Sequence, residues 1–202
     1  MMPAARESLL DAAYTALARR PWSAVRMVDV AAEAGVSRQT LYNEFGSKEG
    51  LARALVRREA DGYLAGVERA LSAHAEARER LAAVAEWTAA AARANPLVRA
   101  MLTGCWSRRL PTPTLSPVPS TSAVPAQRRA DGPLPSPTDL VALVRDRAVA
   151  AMAGPGTSKA DAADLAHSCE LVVRLALSCV AAPPGRGGVA ELVRSALPPQ
   201  PR

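Results

Sequence analysis

The sequence of 202 residues predicts an all-α fold, in which a small three-helix domain at the amino terminus precedes a larger helical domain. Three observations favour this class. Hydrophobic residues make up 49% of the chain and aromatic residues only 3%, and the small aliphatic side chains that dominate suit closely packed helices. Apolar residues recur at helical spacing over most of the chain. A glycine-containing turn separates two short helical patterns near the amino terminus.

The first predicted helix covers about residues 4–19. Pro21 ends this helix, and Trp22 follows where a loop can hold the indole against the domain core. The helix has an apolar face formed by Leu9, Leu10, Ala13, Ala16 and Leu17. It therefore has one side to bury against the rest of the small domain.

The stretch from Val28 to Leu51 predicts a helix-turn-helix and the start of a further helix. Gly35 can adopt the positive φ that ends a helix in a tight turn, and Ser37 can cap the helix after it. The pair Gly46-Ser47 repeats these two signals, so it ends that helix and starts the next. The first of these helices is expected to use Val28, Ala31 and Ala32 as its apolar face. The wedge between the two helices is expected to contain Val30, Ala34, Val36 and Leu41.

Six helical patterns follow the helix-turn-helix. Pro96 suits the first turn of the third pattern, and Ser158 or Thr157 can cap the fifth. They cover about residues 48–71, 75–94, 96–102, 139–153, 158–182 and 189–197.

The region 107–137 interrupts these patterns. The stretch from Leu110 to Asp139 contains eight prolines and almost no periodicity. We interpret residues 107–137 as a disordered or extended linker within the second domain. A loop of this length is uncommon inside a compact domain.

The run T-L-Y-N-E-F-G-S-K-E-G-L, preceded by D-V-A-A-E-A-G-V-S, resembles the DNA-binding domain of the tetracycline-repressor (TetR/AcrR) family of bacterial transcriptional regulators. The resemblance implies a helix-turn-helix DNA-binding domain over residues 1–47 and a helical ligand-binding and dimerisation domain over residues 48–202. It also implies a homodimer, in which the last two helices of each subunit form a four-helix interface. The chain departs from the family pattern at 107–137, where helices of the ligand-binding core are expected.

The predicted recognition helix, from Arg38 to Phe45, carries the side chains expected to read DNA bases. Leu41 and Phe45 are four residues apart and face inward, which leaves the polar residues outward or lateral. Arginine can contact guanine through two hydrogen bonds, and glutamine or asparagine can do the same with adenine. The base-reading candidates are therefore Arg38, Gln39 and Asn43. Arg38 could equally contact phosphate, and a solvated helix face without DNA contacts is the alternative for all three.

Other side chains match the family positions that hold the DNA backbone. These are Thr40, Tyr42 and Lys48, and Arg26 and Ser37 complete the predicted DNA-binding set. Arg26 stands where the family commonly has a serine or threonine cap; it cannot cap through an oxygen, but it can bind phosphate directly. The alternative makes Tyr42 a packing residue and Lys48 a surface charge. Glu44 stands where the family often has histidine, and it adds a negative charge beside the groove.

Charge, cysteine content and the absence of further motifs limit the other functions that the sequence allows. The net charge of +6 and the pI near 9.9 suit a polyanionic partner. Three cysteines without C-x-x-C spacing predict neither a disulfide framework nor a zinc site, and His74 and His167 show no metal-ligand pattern. Because no catalytic motif is present, we predict no enzyme activity, metal or cofactor. Without an apolar run of membrane length or a leader-like segment, we expect a cytoplasmic protein with no membrane partner.

The second domain is expected to bind a small apolar effector. The residues that could line its cavity are Trp87, Met101, Trp106 and Met152, with ordinary core packing as the alternative for each. The resemblance thus implies a homodimeric repressor that the effector releases from double-stranded operator DNA. Two alternatives stay open: a ligand-independent DNA-binding protein of the same fold, and a helical interaction or enzyme domain without specific DNA binding.

Overall fold

The structure is a computed structural model that describes residues 3–111, 134–154, 156–185 and 187–197. Within these ranges every regular element is helical, which confirms the predicted all-α class. None of the helices in the described ranges combines the length and apolarity that crossing a bilayer demands. Residues 112–133 of the predicted linker lie outside the described residues.

The chain forms two compact units. Of the described residues, 3–59, 106–111 and 134 belong to the first unit, and 60–105 and those from 135 onwards belong to the second. The first unit thus extends beyond residue 47 and includes the beginning of the fourth helix. It also includes the beginning of the proline-rich region.

The first unit is built on the three predicted helices. Its elements are α1 (Pro3–Arg19), a short 3-10 turn (Trp22–Ala24), α2 (Met27–Glu33), α3 (Arg38–Phe45) and the first part of α4 (Lys48–Ser72). Helix α2 packs against both α1 and α3. The unit has a core that includes Leu9, Leu10, Val25, Val30, Leu41, Leu51 and Leu55.

The buried face of α2 differs from the predicted one. Met27, Val30 and Ala31 are buried, whereas Val28 is 48% exposed and Ala32 is exposed. Positions i, i+3 and i+4 form one stripe on a helix, and Met27 starts that stripe. The prediction began one residue late, at Val28, and so placed part of the face on the solvent side.

The second unit contains the rest of α4 and five further helices. These are α5 (Ala77–Ala94), α6 (Pro96–Thr103), α7 (Pro137–Met152), α8 (Lys159–Ala181) and α9 (Gly188–Ala196). Helix α5 packs against α6, α8 and α9, and α7 packs against α6 and α8. Because α5 and α8 make the most extensive pair, they form the centre of this unit.

Helix α7 begins earlier than predicted. The Ser136 hydroxyl accepts a hydrogen bond from the Asp139 N–H at 3.2 Å, and the Asp139 carboxylate accepts one from the Ser136 N–H at 2.9 Å. This capping box starts the helix at Pro137, whose missing N–H costs nothing in a first turn. Pro137, the last residue of the predicted linker, is therefore helical. The same arrangement between Ser158 and Asp161 starts α8.

Two glycines in the middle of α4 have different surroundings. The Trp87 indole N–H donates to the Tyr63 carbonyl oxygen at 3.0 Å, which places the ring against Gly66. A Cβ atom at Gly66 would overlap this ring, whereas one at Gly62 would meet nothing. Gly66 thus allows α4 and α5 to approach closely here.

The interior of the second unit holds a small polar cluster. The hydroxyls of Tyr63 and Thr88 lie 3.0 Å apart, and both residues are buried. Burial raises the pKa of Tyr63 to about 12 and that of the Cys169 thiol to about 12. These groups are therefore uncharged at neutral pH. Cys179 is also buried, whereas Cys105 is exposed.

Candidate nucleic-acid interface

Local signals in the sequence hold α3 in the helix-turn-helix. Gly35 and Gly46 have φ values of 68° and 71°, so glycine fits both helix ends. The Ser37 hydroxyl caps α3 by accepting a hydrogen bond from the Thr40 N–H at 3.0 Å. Leu41 and Phe45 bury one side of the helix. These local predictions are confirmed.

The opposite side of α3 presents polar groups to solvent. Arg38, Gln39, Thr40 and Asn43 are exposed, and Tyr42 is half-buried. The exposed groups can reach base edges if this face enters a major groove. Their accessibility is what the base-reading prediction requires.

The polar side chains of α3 are paired along the helix. Gln39 Nε2 donates to Asn43 Oδ1 at 2.7 Å, and the Arg38 guanidinium lies 5.3 Å from the centre of the Tyr42 ring. Thr40 and Ser37 share a hydroxyl contact of 2.8 Å. Contacts between residues three or four apart limit the rotamers of the side chains that make them. These contacts therefore restrict the conformations of the polar side chains on this face.

Arg26 is at the start of α2, where the structure shows no side-chain cap. Its guanidinium instead donates to both carboxylate oxygens of Asp29, at 3.1 and 2.9 Å. The hydrogen bonds and charge of Arg26, with Arg20 also 3.1 Å away, hold the pKa of Asp29 below its usual value. The side chain of Arg26 remains 73% exposed, so a phosphate could reach its other donors. A phosphate contact here would compete with Asp29.

The acidic Glu44 of α3 is neutralised from α1. Arg6 donates to its carboxylate at 2.5 Å, and the Glu44 side chain is only 11% exposed. The Arg6 guanidinium also lies 4.9 Å from the centre of the Phe45 ring. The negative charge expected beside the groove is therefore compensated, and the same pair connects α1 to α3.

Lys48 is held at the start of α4 by the loop after α1. Its ammonium donates to the Ser23 carbonyl oxygen at 3.2 Å and lies 5.6 Å from the centre of the Trp22 ring. The side chain is half-buried. Lys48 therefore stabilises this loop in addition to any phosphate contact it makes.

The four predicted effector residues do not share one unit. Trp87 and Met152 are half-buried and Met101 is buried, all within the second unit. Trp106 is half-buried and belongs to the first unit. The second unit therefore contains three of the four residues proposed to line its cavity.

Sequence reasoning missed the partners that position the predicted site. Arg6 is 38 residues from Glu44, and no local pattern indicates that they meet. Asp29 follows Arg26 by three residues on a helix, a spacing that could have identified this pair. No group of three or more His, Cys, Asp or Glu side chains among the described residues is placed to hold a metal ion.

Residues 9–55 match the family model described as bacterial regulatory proteins, tetR family. This match contains most of α1, all of α2 and α3, and the beginning of α4. It thus covers the predicted recognition helix and the turn before it.

Similarity to one relative extends over both units. The chain is 36% identical over 181 residues to the HTH-type transcriptional regulator AlkX of Mycobacterium tuberculosis, covering 89% of this chain and 76% of that protein. It is 38% identical over 81 residues to the HTH-type transcriptional activator FasR of Mycolicibacterium smegmatis, covering 40% and 37% respectively. The crystal structure of a TetR/AcrR-family regulator from Thermobifida fusca has the same fold, with a TM-score of 0.53 and 16% identity. That match covers 94% of this chain and 92% of the other.

Proposed function

The chain belongs to the tetR family of bacterial regulatory proteins, and on this premise we propose that it is a repressor that a small apolar effector releases from operator DNA. It is a DNA-binding transcriptional regulator with a helix-turn-helix. The exposed polar face of α3, with Arg38, Gln39 and Asn43, is the observation on which the proposal depends. These residues would read bases, while Arg26, Ser37, Thr40, Tyr42 and Lys48 would contact the DNA backbone.

The proposed repressor is a cytoplasmic homodimer on a roughly palindromic operator. Leu171 of α8 and Leu192 of α9 are large apolar residues that are 39% and 38% exposed, and α8 packs against α9. A second copy of these helices would cover them. Two α3 helices would then lie about 34 Å apart, or a multiple of that distance.

The dimer proposal can be tested by placing a charge on this surface. Leu171→Asp with Leu192→Asp should convert a dimer into a monomer, as measured by size-exclusion chromatography with light scattering. Ala90→Asp, at an exposed position of α5, is the control and should leave the dimer intact. A double variant with an unchanged mass would contradict the proposed interface.

The interior of the second unit supports an apolar effector. Its buried residues are mostly aliphatic, the Thr88 hydroxyl is paired with that of Tyr63, and no charged residue in the described part of this unit is buried. A charged ligand would lose its hydration there without gaining an opposite charge. Coupling of about 1–3 kcal/mol between effector and DNA would suffice for a switch.

DNA selection tests the proposed function directly. Fragments of the host genome that the protein retains should share a roughly palindromic site, and labelled duplexes should bind it more tightly than random competitor. Small apolar molecules would then be screened for release of that duplex. If DNA binds specifically and none of these molecules releases it, the ligand-independent alternative is favoured.

Activation is the second candidate, because one relative is named a transcriptional activator. A reporter gene placed downstream of the selected operator distinguishes repression from activation. Repression predicts higher expression when the regulator is deleted, and activation predicts lower expression.

A further inference from the structure

The segment from Trp106 to Pro111 is anchored in the first unit. The Trp22 N–H donates to the Arg109 carbonyl oxygen at 2.8 Å, and Leu110 and Pro111 are buried. The Leu110 N–H also donates to the Ser107 carbonyl oxygen at 3.0 Å, which forms a turn. The start of the proline-rich region thus has a defined place beside the loop after α1.

This anchored turn presents two positive charges to solvent. Arg108 and Arg109 are exposed, and neither side chain makes a hydrogen bond or ion pair with a residue in the described part of the chain. Several other arginines of the first unit differ, because Arg6, Arg20 and Arg58 each pair with a carboxylate. Arg108 and Arg109 therefore carry charge that the described residues do not compensate.

The position of the turn places the backbone of Arg109 against the loop that Lys48 also contacts. Arg109 meets the backbone of Trp22, and the Lys48 ammonium lies against the Trp22 ring and the Ser23 carbonyl oxygen. Lys48 is also the first residue of α4, where the helix dipole favours anions. The charges of Arg108, Arg109 and Lys48 and the dipole of α4 therefore all favour a polyanion near this loop.

We propose that Arg108 and Arg109 bind DNA phosphates outside the part of the duplex that α3 contacts. The inference rests on the proposed DNA-binding function, and it assigns a second role to a region that the sequence presents only as a linker. Guanidinium groups pair well with phosphate oxygens, and contacts of this kind add affinity without reading sequence. The arginines of this turn thus extend the phosphate-binding surface beyond the family motif.

The experiment measures how binding depends on salt. Fluorescence anisotropy measures the affinity for the selected duplex and for random duplex at salt concentrations between about 50 and 300 mM. Arg108→Ala with Arg109→Ala should lower the slope of log K against log salt by about 1.8, because each phosphate contact contributes about 0.9. The preference for the selected duplex should be unchanged.

The control variant removes the same charge from the second unit. Arg93→Ala with Arg99→Ala alters two exposed arginines of α5 and α6 and should keep the wild-type slope. Arg108→Lys with Arg109→Lys keeps the charge and should restore most of the slope. Thermal unfolding of each variant shows whether the fold is retained.

The outcomes separate this inference from the proposed function. Suppose that the wild type binds its duplex. The inference is overturned if Arg108→Ala with Arg109→Ala leaves the salt slope unchanged, or if the control variant lowers the slope equally. The proposal that α3 recognises DNA stands in either case. If the wild type shows no preference for any duplex, the proposed function fails as well.

Discussion

Helices α3 and α5 differ in the kinds of side chain that they carry. Helix α3 has eight residues, of which Leu41 and Phe45 are buried and most of the others present polar groups. Helix α5 has eighteen residues, and alanine supplies most of its buried positions. The polar side chains of α3 indicate which kind of ligand this helix can contact. The small residues of α5 determine only how closely the neighbouring helices approach it. The DNA-binding role is therefore readable from the sequence, and the effector is not.

The largest effect on stability is expected from breaking the close packing in the second unit. Gly66→Ala should lower the free energy of unfolding by about 2 kcal/mol, because Trp87 must leave its place and lose the hydrogen bond to Tyr63. Gly62→Ala is the matched control on the same helix and should raise stability by up to about 1 kcal/mol. Urea unfolding monitored by circular dichroism measures both, and equal effects would show that Trp87 imposes no such constraint.

Substitutions at the predicted DNA-binding face test the role of the polar side chains of α3. Gln39→Ala should weaken binding to the selected duplex by about 1–3 kcal/mol and leave binding to random duplex nearly unchanged. The physical reason is the loss of a side chain that we propose reads a base edge, together with its 2.7 Å bond to Asn43. Anisotropy titrations with both duplexes measure this difference.

Lys48→Ala should behave differently from Gln39→Ala. It should weaken binding to every duplex and lower the salt slope by about one unit. Because Lys48 also holds the Ser23 carbonyl oxygen, the thermal midpoint should fall slightly. Matching profiles for the two variants would refute the division between base reading and backbone contact.

A smaller effect is expected from the ion pair between α1 and α3. Arg6→Ala and Glu44→Gln should each lower stability, and a double-mutant cycle should give a coupling of about 1 kcal/mol. Glu44→Gln should also strengthen binding to all duplexes, since it removes a negative charge from the recognition helix. Loss of stability with gain of affinity would show that the pair stabilises the fold while the charge of Glu44 opposes DNA binding. A coupling near zero would leave Arg6 a surface charge.

The smallest effect is expected from Asp29 and depends on pH. Its pKa is lowered by Arg26, so the stabilisation that it provides is present above the unfolded pKa of about 4 and lost as pH falls through the lower folded value. Asp29→Asn should therefore reduce stability at pH 7, and this effect should become smaller as the pH falls towards 2. Urea midpoints at the two pH values test this, and a difference that persists in acid would mean that hydrogen bonding, not charge, is responsible.

Local signals account for the part of the site that the sequence predicts. Gly35, Ser37 and Gly46 act through their own backbone and the next few residues, so their effects do not depend on the rest of the fold. Helical spacing likewise identifies Leu51 and Leu55, which are fully buried.

Contacts distant in sequence explain what the prediction lacks. Arg6 pairs with Glu44, and Trp22 pairs with Arg109, because tertiary packing brings distant segments of the chain together. Helical periodicity does not specify which segments meet. The wrong face of α2 has a simpler cause. Its seven residues hold fewer than two repeats of the helical stripe, so a shift of one residue leaves the pattern almost equally regular.

The exposed thiol of Cys105 affects how the assembly should be measured. Cys169 and Cys179 are buried, so a maleimide dye would react first with Cys105 and label the native chain at one position. In air the same thiol can link two chains covalently and imitate the proposed dimer on a sizing column. Light scattering of this protein therefore needs a reductant, and the same samples without reductant would reveal how much apparent association is only oxidation.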